Sequence, residues 1–168
     1  MSGRSPAPGG LALVESLVNT LDLESGVDAL DTPDGRAALG ITEAELAAAR
    51  TLRESLRATL LAHAGHPPHR EVTPLGDLLA AAPLHVAVDP ADGSATLAPA
   101  DVGPLVARVA AAVANALVEG TWTRLKACED DTCHWAYYDR SPAGRGRWCS
   151  MQVCGSRAKM RRYRAKDR

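Results

Sequence analysis

The residues best suited to chemistry are four cysteines near the end of this 168-residue chain: Cys128, Cys133, Cys149 and Cys154. They form two pairs, and four residues separate the members of each pair. Two close pairs of thiolates are what a tetrahedral metal site requires. The spacing predicts a structural Zn²⁺ site with all four cysteines as ligands, and a redox-active or iron–sulfur site is the alternative. Four thiolates leave no open position on the metal, which argues against a hydrolytic zinc.

A strongly basic segment follows the last cysteine. Residues 157–168 contain seven basic groups and one acid, Asp167. Clustered cations bind polyanions because they release counterions from phosphate, although a solvated charged helix would have the same composition. We expect a helix over about 151–166, with Ser150 as its N-cap. The candidate nucleic-acid contacts on this helix and on the preceding loop are Arg145, Arg147, Arg157, Lys159, Arg161, Arg162 and Arg164.

Aromatic residues surround the cysteines. All six of them lie between Trp122 and Tyr163. Trp135 and Tyr137 alternate with other residues, which predicts a short strand. We expect the aromatics to form a small core around the metal, with Met160 and Tyr163 packing the basic helix against it.

Charge divides the chain near Gly120. Residues 1–120 carry seven basic and 15 acidic groups, whereas residues 121–168 carry 12 basic and five acidic groups. The net charge of the whole chain is −1, but it is the sum of an acidic segment and a basic segment. The sequence therefore predicts a disordered leader over 1–9, a helical domain over 10–120, and a zinc-finger domain over 121–168.

The first 120 residues predict a mainly α-helical domain with a small β-hairpin (α+β). Apolar spacing and capping signals place helices at about 10–24, 33–40, 42–63, 74–81 and 104–120, and a hairpin between 84 and 97. The third of these helices begins with a capping box, in which Thr42 is the N-cap and Glu45 its partner. On the third helix, Arg50, Arg53 and Arg57 are expected on the outer side. His63, His66 and His69 are expected to be solvated loop residues. The C-terminal domain should be a four-cysteine zinc finger, similar to a zinc ribbon or treble clef, that ends in the basic helix.

Two segments of the chain resemble known families. Residues Trp148–Lys159, with the upstream pair Cys128 and Cys133, resemble the CGNR zinc-finger signature, although Ser156 stands where that family has Asn. Asp139-Arg140-Ser141 matches the Asp-x-Ser that precedes the family's basic loop. The triplet Val18-Asn19-Thr20 resembles the ABATE domain that typically precedes this finger.

This resemblance implies a stress-related bacterial transcription regulator that binds DNA through a zinc-dependent C-terminus. The N-terminal domain would form a homodimer, sense a small-molecule effector, or do both. An RNA-binding module, a protein-interaction module and a redox-sensitive zinc switch are the alternatives. No nucleophile–base pair can be named, so we expect no enzyme. The absence of an export signal or a long apolar run predicts a cytoplasmic, nucleoid-associated protein that does not contact the membrane.

Overall fold

The computed structural model describes residues 5–101 and 103–166. Within these ranges the fold is mixed α/β, with six α-helices and two small antiparallel sheets, as expected. None of the described helices is both long enough and apolar enough to cross a membrane. The elements in chain order are α1 (Leu11–Val18), α2 (Pro33–Ala38), α3 (Leu46–His63), α4 (Leu75–Leu79), β1 (Leu84–Val88), β2 (Ala95–Pro99), α5 (Leu105–Val118), β3 (Leu125–Ala127), β4 (Ala136–Tyr138) and α6 (Ser156–Lys166).

The first helix is shorter than predicted and ends at Val18 rather than near residue 24. The Thr20 hydroxyl donates to the carbonyl of Leu17, which caps the end of the helix. The chain then reverses through a turn at Gly26, whose φ of 73° is left-handed. Leu21 pairs with Asp28 across this turn. The apolar spacing beyond Val18 therefore belongs to a hairpin-like turn.

The start of α3 follows the predicted capping pattern. The Thr42 N–H donates to Glu45 Oε2 at 3.0 Å, which satisfies a donor at the entrance of the helix. The other carboxylate oxygen of Glu45 accepts the N–H of Leu105 at 3.1 Å. One side chain thus fixes the start of α3 against the start of α5.

A single apolar core joins the N-terminal helices to the second sheet. Buried leucines and valines of α1, α3 and α5 form one cluster that continues into Trp122, Leu125, Ala127 and Ala136. Strand β3 packs on α3, and β4 packs on α1. The sequence predicted a disordered leader over residues 1–9, but Ala7 is buried in this core. Residues 1–4 of that segment lie outside the described ranges. The core therefore extends past Gly120 into the cysteine-bearing segment.

The prediction that Arg53 and Arg57 lie on the outer side of α3 is wrong, because they are 4% and 0% exposed. Arg53 donates to Thr20, Asp28 and Glu54. The α3 face that carries both arginines lies beneath the end of α1, where carbonyls and carboxylates converge. Their charges are satisfied there, which permits burial. Only Arg50, whose side chain is 41% exposed, lies toward solvent as expected.

The prediction of solvated histidines is wrong for His63 and His69. His63 packs edge-on against Trp122, with ring centroids 5.0 Å apart, and its Nδ1 lies 2.8 Å from the carbonyl of Leu125. His69 Nε2 lies 3.0 Å from Glu54 Oε2. Each imidazole is half-buried because the fold supplies it with a hydrogen-bond acceptor.

The predicted hairpin is present, with Val86 opposite Leu97 in an antiparallel register. The Asn115 side chain on α5 forms hydrogen bonds with β2 of this hairpin. The Asn115 amide accepts the Leu97 N–H at 3.0 Å and donates to the Leu97 carbonyl at 2.8 Å.

Candidate metal centre and basic helix

The four cysteine sulfurs converge, and all lie within 4.8 Å of one another. None forms a disulfide, and three of the four cysteines are buried. Cys133 and Cys149 are separated by 3.6 Å between sulfurs, and Cys149 and Cys154 by 3.7 Å. A tetrahedron with Zn–S bonds of about 2.3 Å has edges of about 3.8 Å. The donor set and its dimensions therefore fit a zinc ion.

The first pair of cysteines is positioned by the β3–β4 sheet. Cys128 follows β3 directly, and its N–H donates to the Trp135 carbonyl at 3.0 Å. The Cys133 N–H donates to the carbonyl of Asp130, which closes a turn. His134 has a φ of 44°, and its Nδ1 lies 3.0 Å from the Cys128 carbonyl. His134 therefore stabilises the turn through this contact and is not one of the clustered residues.

The second pair is positioned by a wide helical turn over Met151–Gly155 that leads into α6. Ser150 caps this turn as predicted, because its hydroxyl accepts the Val153 N–H at 3.3 Å. The Gly155 N–H donates to the Ser150 carbonyl. A side chain at Gly155 would approach Trp148 and Met151 at 3.2 Å, so the close packing of this turn favours glycine.

The crowded sulfurs perturb one another's acidity. Hydrogen bonds from Cys133 and Cys149 lower the pKa of Cys128. The hydrogen bonds with Cys128 raise the pKa of Cys133 and of Cys149, because each of these thiols would lose its hydrogen bond to Cys128 on giving up its proton. The thiols of such a cluster therefore differ in how readily they lose a proton. Because a metal ion binds thiolates, metal binding at this cluster would release protons, and the metal affinity would depend on pH.

The predicted aromatic core around the sulfurs is present for three residues. Tyr137 is 1% exposed beside Cys128, Cys149 and Cys154. Trp135 and Trp148 pack partly buried against the same cluster. In contrast, the prediction that Met160 and Tyr163 pack against this module is wrong, because they are 51% and 64% exposed.

The basic loop between the cysteine pairs is organised by Asp139, which the sequence suggested only as part of a family motif. Asp139 accepts hydrogen bonds from Lys126 Nζ, Ser141 N and Gly146 N. Burial raises its pKa, but these hydrogen bonds outweigh that effect and hold the pKa well below its ordinary value. A Cβ at Gly146 would come within 2.9 Å of the Asp139 carboxylate, so only glycine fits there.

The loop arginines differ in their surroundings. Arg147 forms a bidentate ion pair with Glu129 and lies over the Trp148 ring at 5.2 Å. Arg145 is exposed. Both border an open groove of about 730 Å³ that Arg140, Trp148 and Met151 also line.

Helix α6 has no buried residue among those described. Arg157 donates to both Glu24 carboxylate oxygens, at 2.8 and 3.0 Å, and Arg161 donates to Asp130 at 3.2 Å. Across the described part of the chain, the other predicted contacts on α6 form no ion pair; they are the exposed residues Lys159, Arg162 and Arg164. Arg168 lies outside the described residues.

Two N-terminal side chains hold the metal-binding segment, and sequence reasoning assigned neither to the site. The Asn19 amide accepts the Ala136 N–H at 2.7 Å and donates to the Ala136 carbonyl at 3.0 Å. Arg57 donates to the carbonyl of His134 at 3.1 Å and to that of Val18 at 2.9 Å. The turn between Cys133 and β4 is therefore fastened to α1 and α3.

Comparison with protein families assigns both segments. The ABATE family, described as "Putative stress-induced transcription regulator", matches residues 11–120, and the CGNR zinc finger matches residues 124–167. Neither description names an enzyme. No curated protein matches the chain. The two matches confirm the predicted architecture, and with the cysteine cluster they indicate a zinc-binding regulator.

Proposed function

The chain belongs to the ABATE family and ends in a CGNR zinc finger, and from this membership we propose that it is a zinc-dependent transcription regulator that binds DNA. It acts by binding rather than by catalysis. As a DNA-binding regulator it would work in the cytoplasm, on the nucleoid. Residues 121–168 serve as the DNA-binding module, and residues 10–120 serve dimerisation or effector sensing.

The observation that carries the proposal is the exposure of α6. This helix has 11 residues, begins two residues after Cys154, and buries none of its side chains against the protein. From Lys159 onward every described residue of the helix is exposed. A basic helix with such an exposed segment fits the major groove, which is about 12 Å wide. Its cations would replace counterions along the phosphate backbone.

The metal would be held by Cys128, Cys133, Cys149 and Cys154, and when bound it supplies a rigid cross-link between the two pairs. Residues of the chain itself position the helix and the loop that would contact DNA. Ser150 caps the turn that leads from Cys149 into α6. Asp139 shapes the loop that presents Arg145.

The N-terminal domain contains a candidate effector pocket. An apolar cavity of about 420 Å³ opens between α3, α4 and α5, and Leu52, Leu78 and Leu105 are among its lining residues. A small, mainly apolar molecule would fit such a cavity.

The test is selection of fragmented genomic DNA on the zinc-loaded full chain at about 150 mM salt, followed by sequencing. Enrichment of a motif is the expected result, and a repeated motif with fixed spacing would support a dimer. Protein that carries Cys149→Ser and is treated with zinc in the same way is the control, since it lacks one ligand and should not retain the metal. Binding to RNA in preference to duplex DNA, or no binding to either, would contradict the proposal.

A further inference from the structure

The basic residues of α6 divide between two opposite sides of the helix. At about 100° per residue, Arg161 lies about 40° and Arg164 about 20° from Arg157 around the axis. Arg164 is exposed and, in the described part of the chain, forms no ion pair, so only Arg157 and Arg161 are held to the protein on this side. Lys159, Arg162 and Lys166 lie about 200°, 140° and 180° from Arg157. We call Arg157 and Arg161 the tethered face, and Lys159, Arg162 and Lys166 the open face.

The tethered face points toward the body of the protein. Arg157 and the neighbouring Ala158 are half-buried, whereas every described residue from Lys159 onward is exposed. The carboxylate bound to Arg157 belongs to Glu24, which lies in the turn between α1 and α2. The carboxylate bound to Arg161 belongs to Asp130, between Cys128 and Cys133.

The tethered face is already neutralised. The side chain of Asp130 is 1% exposed, so moving Arg161 away would leave a buried carboxylate without its cation. The hydrogen bonds and charge of Glu24 raise the pKa of Arg157. With a divalent ion bound, the four thiolates would leave a net formal charge of about −2, which would attract the same two arginines. Phosphate would have to compete with all of these groups.

The open face has no such competitor. Within the described part of the chain, Lys159, Arg162 and Lys166 form no ion pair, and all three are exposed. They span about 10 Å along the helix axis. Long cationic side chains spread over that distance can reach several phosphates of one duplex.

We propose that the open face of α6 is the phosphate-binding surface, and that the tethered face orients the helix without contacting nucleic acid. This inference rests on the proposed DNA-binding function. It removes Arg157 and Arg161 from the candidate nucleic-acid contacts that the sequence predicted.

Two double variants with the same change in charge test the proposal. Lys159→Gln/Arg162→Gln alters the open face, and Arg157→Gln/Arg161→Gln alters the tethered face. The zinc-loaded full-length proteins are titrated with one fluorescent DNA duplex over a range of salt concentrations. We expect the open-face variant to lose about two units of the slope of log K against log salt, about 0.9 for each phosphate contact. The tethered-face variant should keep the wild-type slope.

Loss of slope in the tethered-face variant alone, or equally in both variants, would overturn the inference. Because removing Arg161 can impair folding, Glu24→Gln/Arg157→Gln provides a second test. It deletes a partly exposed pair without changing the net charge. An unchanged slope supports the inference, and a loss of about one unit contradicts it.

The wild-type titration separates this inference from the proposed function. If the wild-type chain binds RNA but not duplex DNA, the DNA-binding function fails, while the same ranking of the variants on RNA would still support the open face. If the wild-type chain binds neither nucleic acid, both proposals fail.

Discussion

The two ends of the zinc-finger segment meet the rest of the protein in opposite ways. Strands β3 and β4 enter the N-terminal core, where Leu125 and Ala127 are fully buried and Ala136 is 1% exposed. Helix α6 contributes no buried residue among those described and contacts the body through ion pairs. Apolar burial therefore secures the first end, and the cysteine cluster with two arginine–carboxylate pairs secures the second.

This difference indicates which part of the finger depends on the metal. Packing against α1 and α3 can hold β3 and β4 without any ion, because burial removes their apolar surface from water. Surface ion pairs contribute only about 0–1 kcal/mol each, so they cannot hold α6 in place alone. We therefore expect the zinc-finger segment to have two halves. The half with β3 and β4 should stay folded without the metal, and the half with Met151–Gly155 and α6 should depend on it.

The largest predicted effect is the loss of zinc. Cys149→Ser, or chelation of the metal, should release Met151–Gly155 and α6, because zinc binding supplies on the order of 10 kcal/mol of folding free energy in such sites. Hydrogen–deuterium exchange should become fast over residues 149–166 and stay slow in α1, α3 and β3. Fast exchange in β3 and β4 as well would contradict the division, as would stoichiometric zinc in the variant.

The next largest effect is predicted for Arg57→Ala. This side chain is 0% exposed and binds carbonyls on both α1 and the cysteine segment, so its removal leaves buried carbonyls without this donor and takes one of its cations from Glu54. We expect a loss of about 3–5 kcal/mol in the free energy of unfolding, measured with denaturant. Arg50→Ala on the same helix is the control, and its exposed pairs should cost at most about 1 kcal/mol. Equal losses would contradict the role of Arg57.

A smaller effect is predicted for Asn19→Ala, and Asn115 provides a matched control. Each asparagine makes two hydrogen bonds to the backbone of one strand residue, Ala136 for Asn19 and Leu97 for Asn115. Each alanine variant should lose about 1–3 kcal/mol of stability. Only Asn19→Ala should also weaken zinc retention in a competition with a chelator, because only Ala136 adjoins the cysteine turn. Equal zinc retention in both variants would show that β4 does not support the metal site.

Local sequence patterns predicted much of this molecule. Apolar spacing located the helices and the hairpin, and the Thr42–Glu45 pattern located the start of α3. The four cysteines were found by spacing alone, because metal ligands come in close pairs. Each of these signals is contained within a short stretch of chain.

Contacts between distant residues were not predictable in the same way. Arg57 carries a charge on an amphipathic helix, so its pattern favours solvent, yet its acceptors come from Val18 and His134. The composition of residues 157–168 predicted a basic helix, but only the fold brings Glu24 to Arg157. Burial of a charge depends on partners that the local sequence does not contain.

The smallest predicted effect concerns pH and again separates the two halves. Burial lowers the pKa of His63 below its ordinary value of 6.5, although the hydrogen bond to the Leu125 carbonyl opposes that shift. The unfolded chain therefore takes up a proton at a higher pH than the folded one, and His63 contributes stability above about pH 6.5 that is lost as the pH falls. Because His63 packs on Trp122 and Leu125, mild acid should weaken the packing around β3, whereas α6 contains no histidine. Denaturant unfolding at pH 7.5 and 5.5 should therefore show a smaller loss in His63→Gln than in the wild type, while His85→Gln, at an exposed strand position, should match the wild type. Identical losses in all three proteins would exclude His63 as the source of the acid sensitivity.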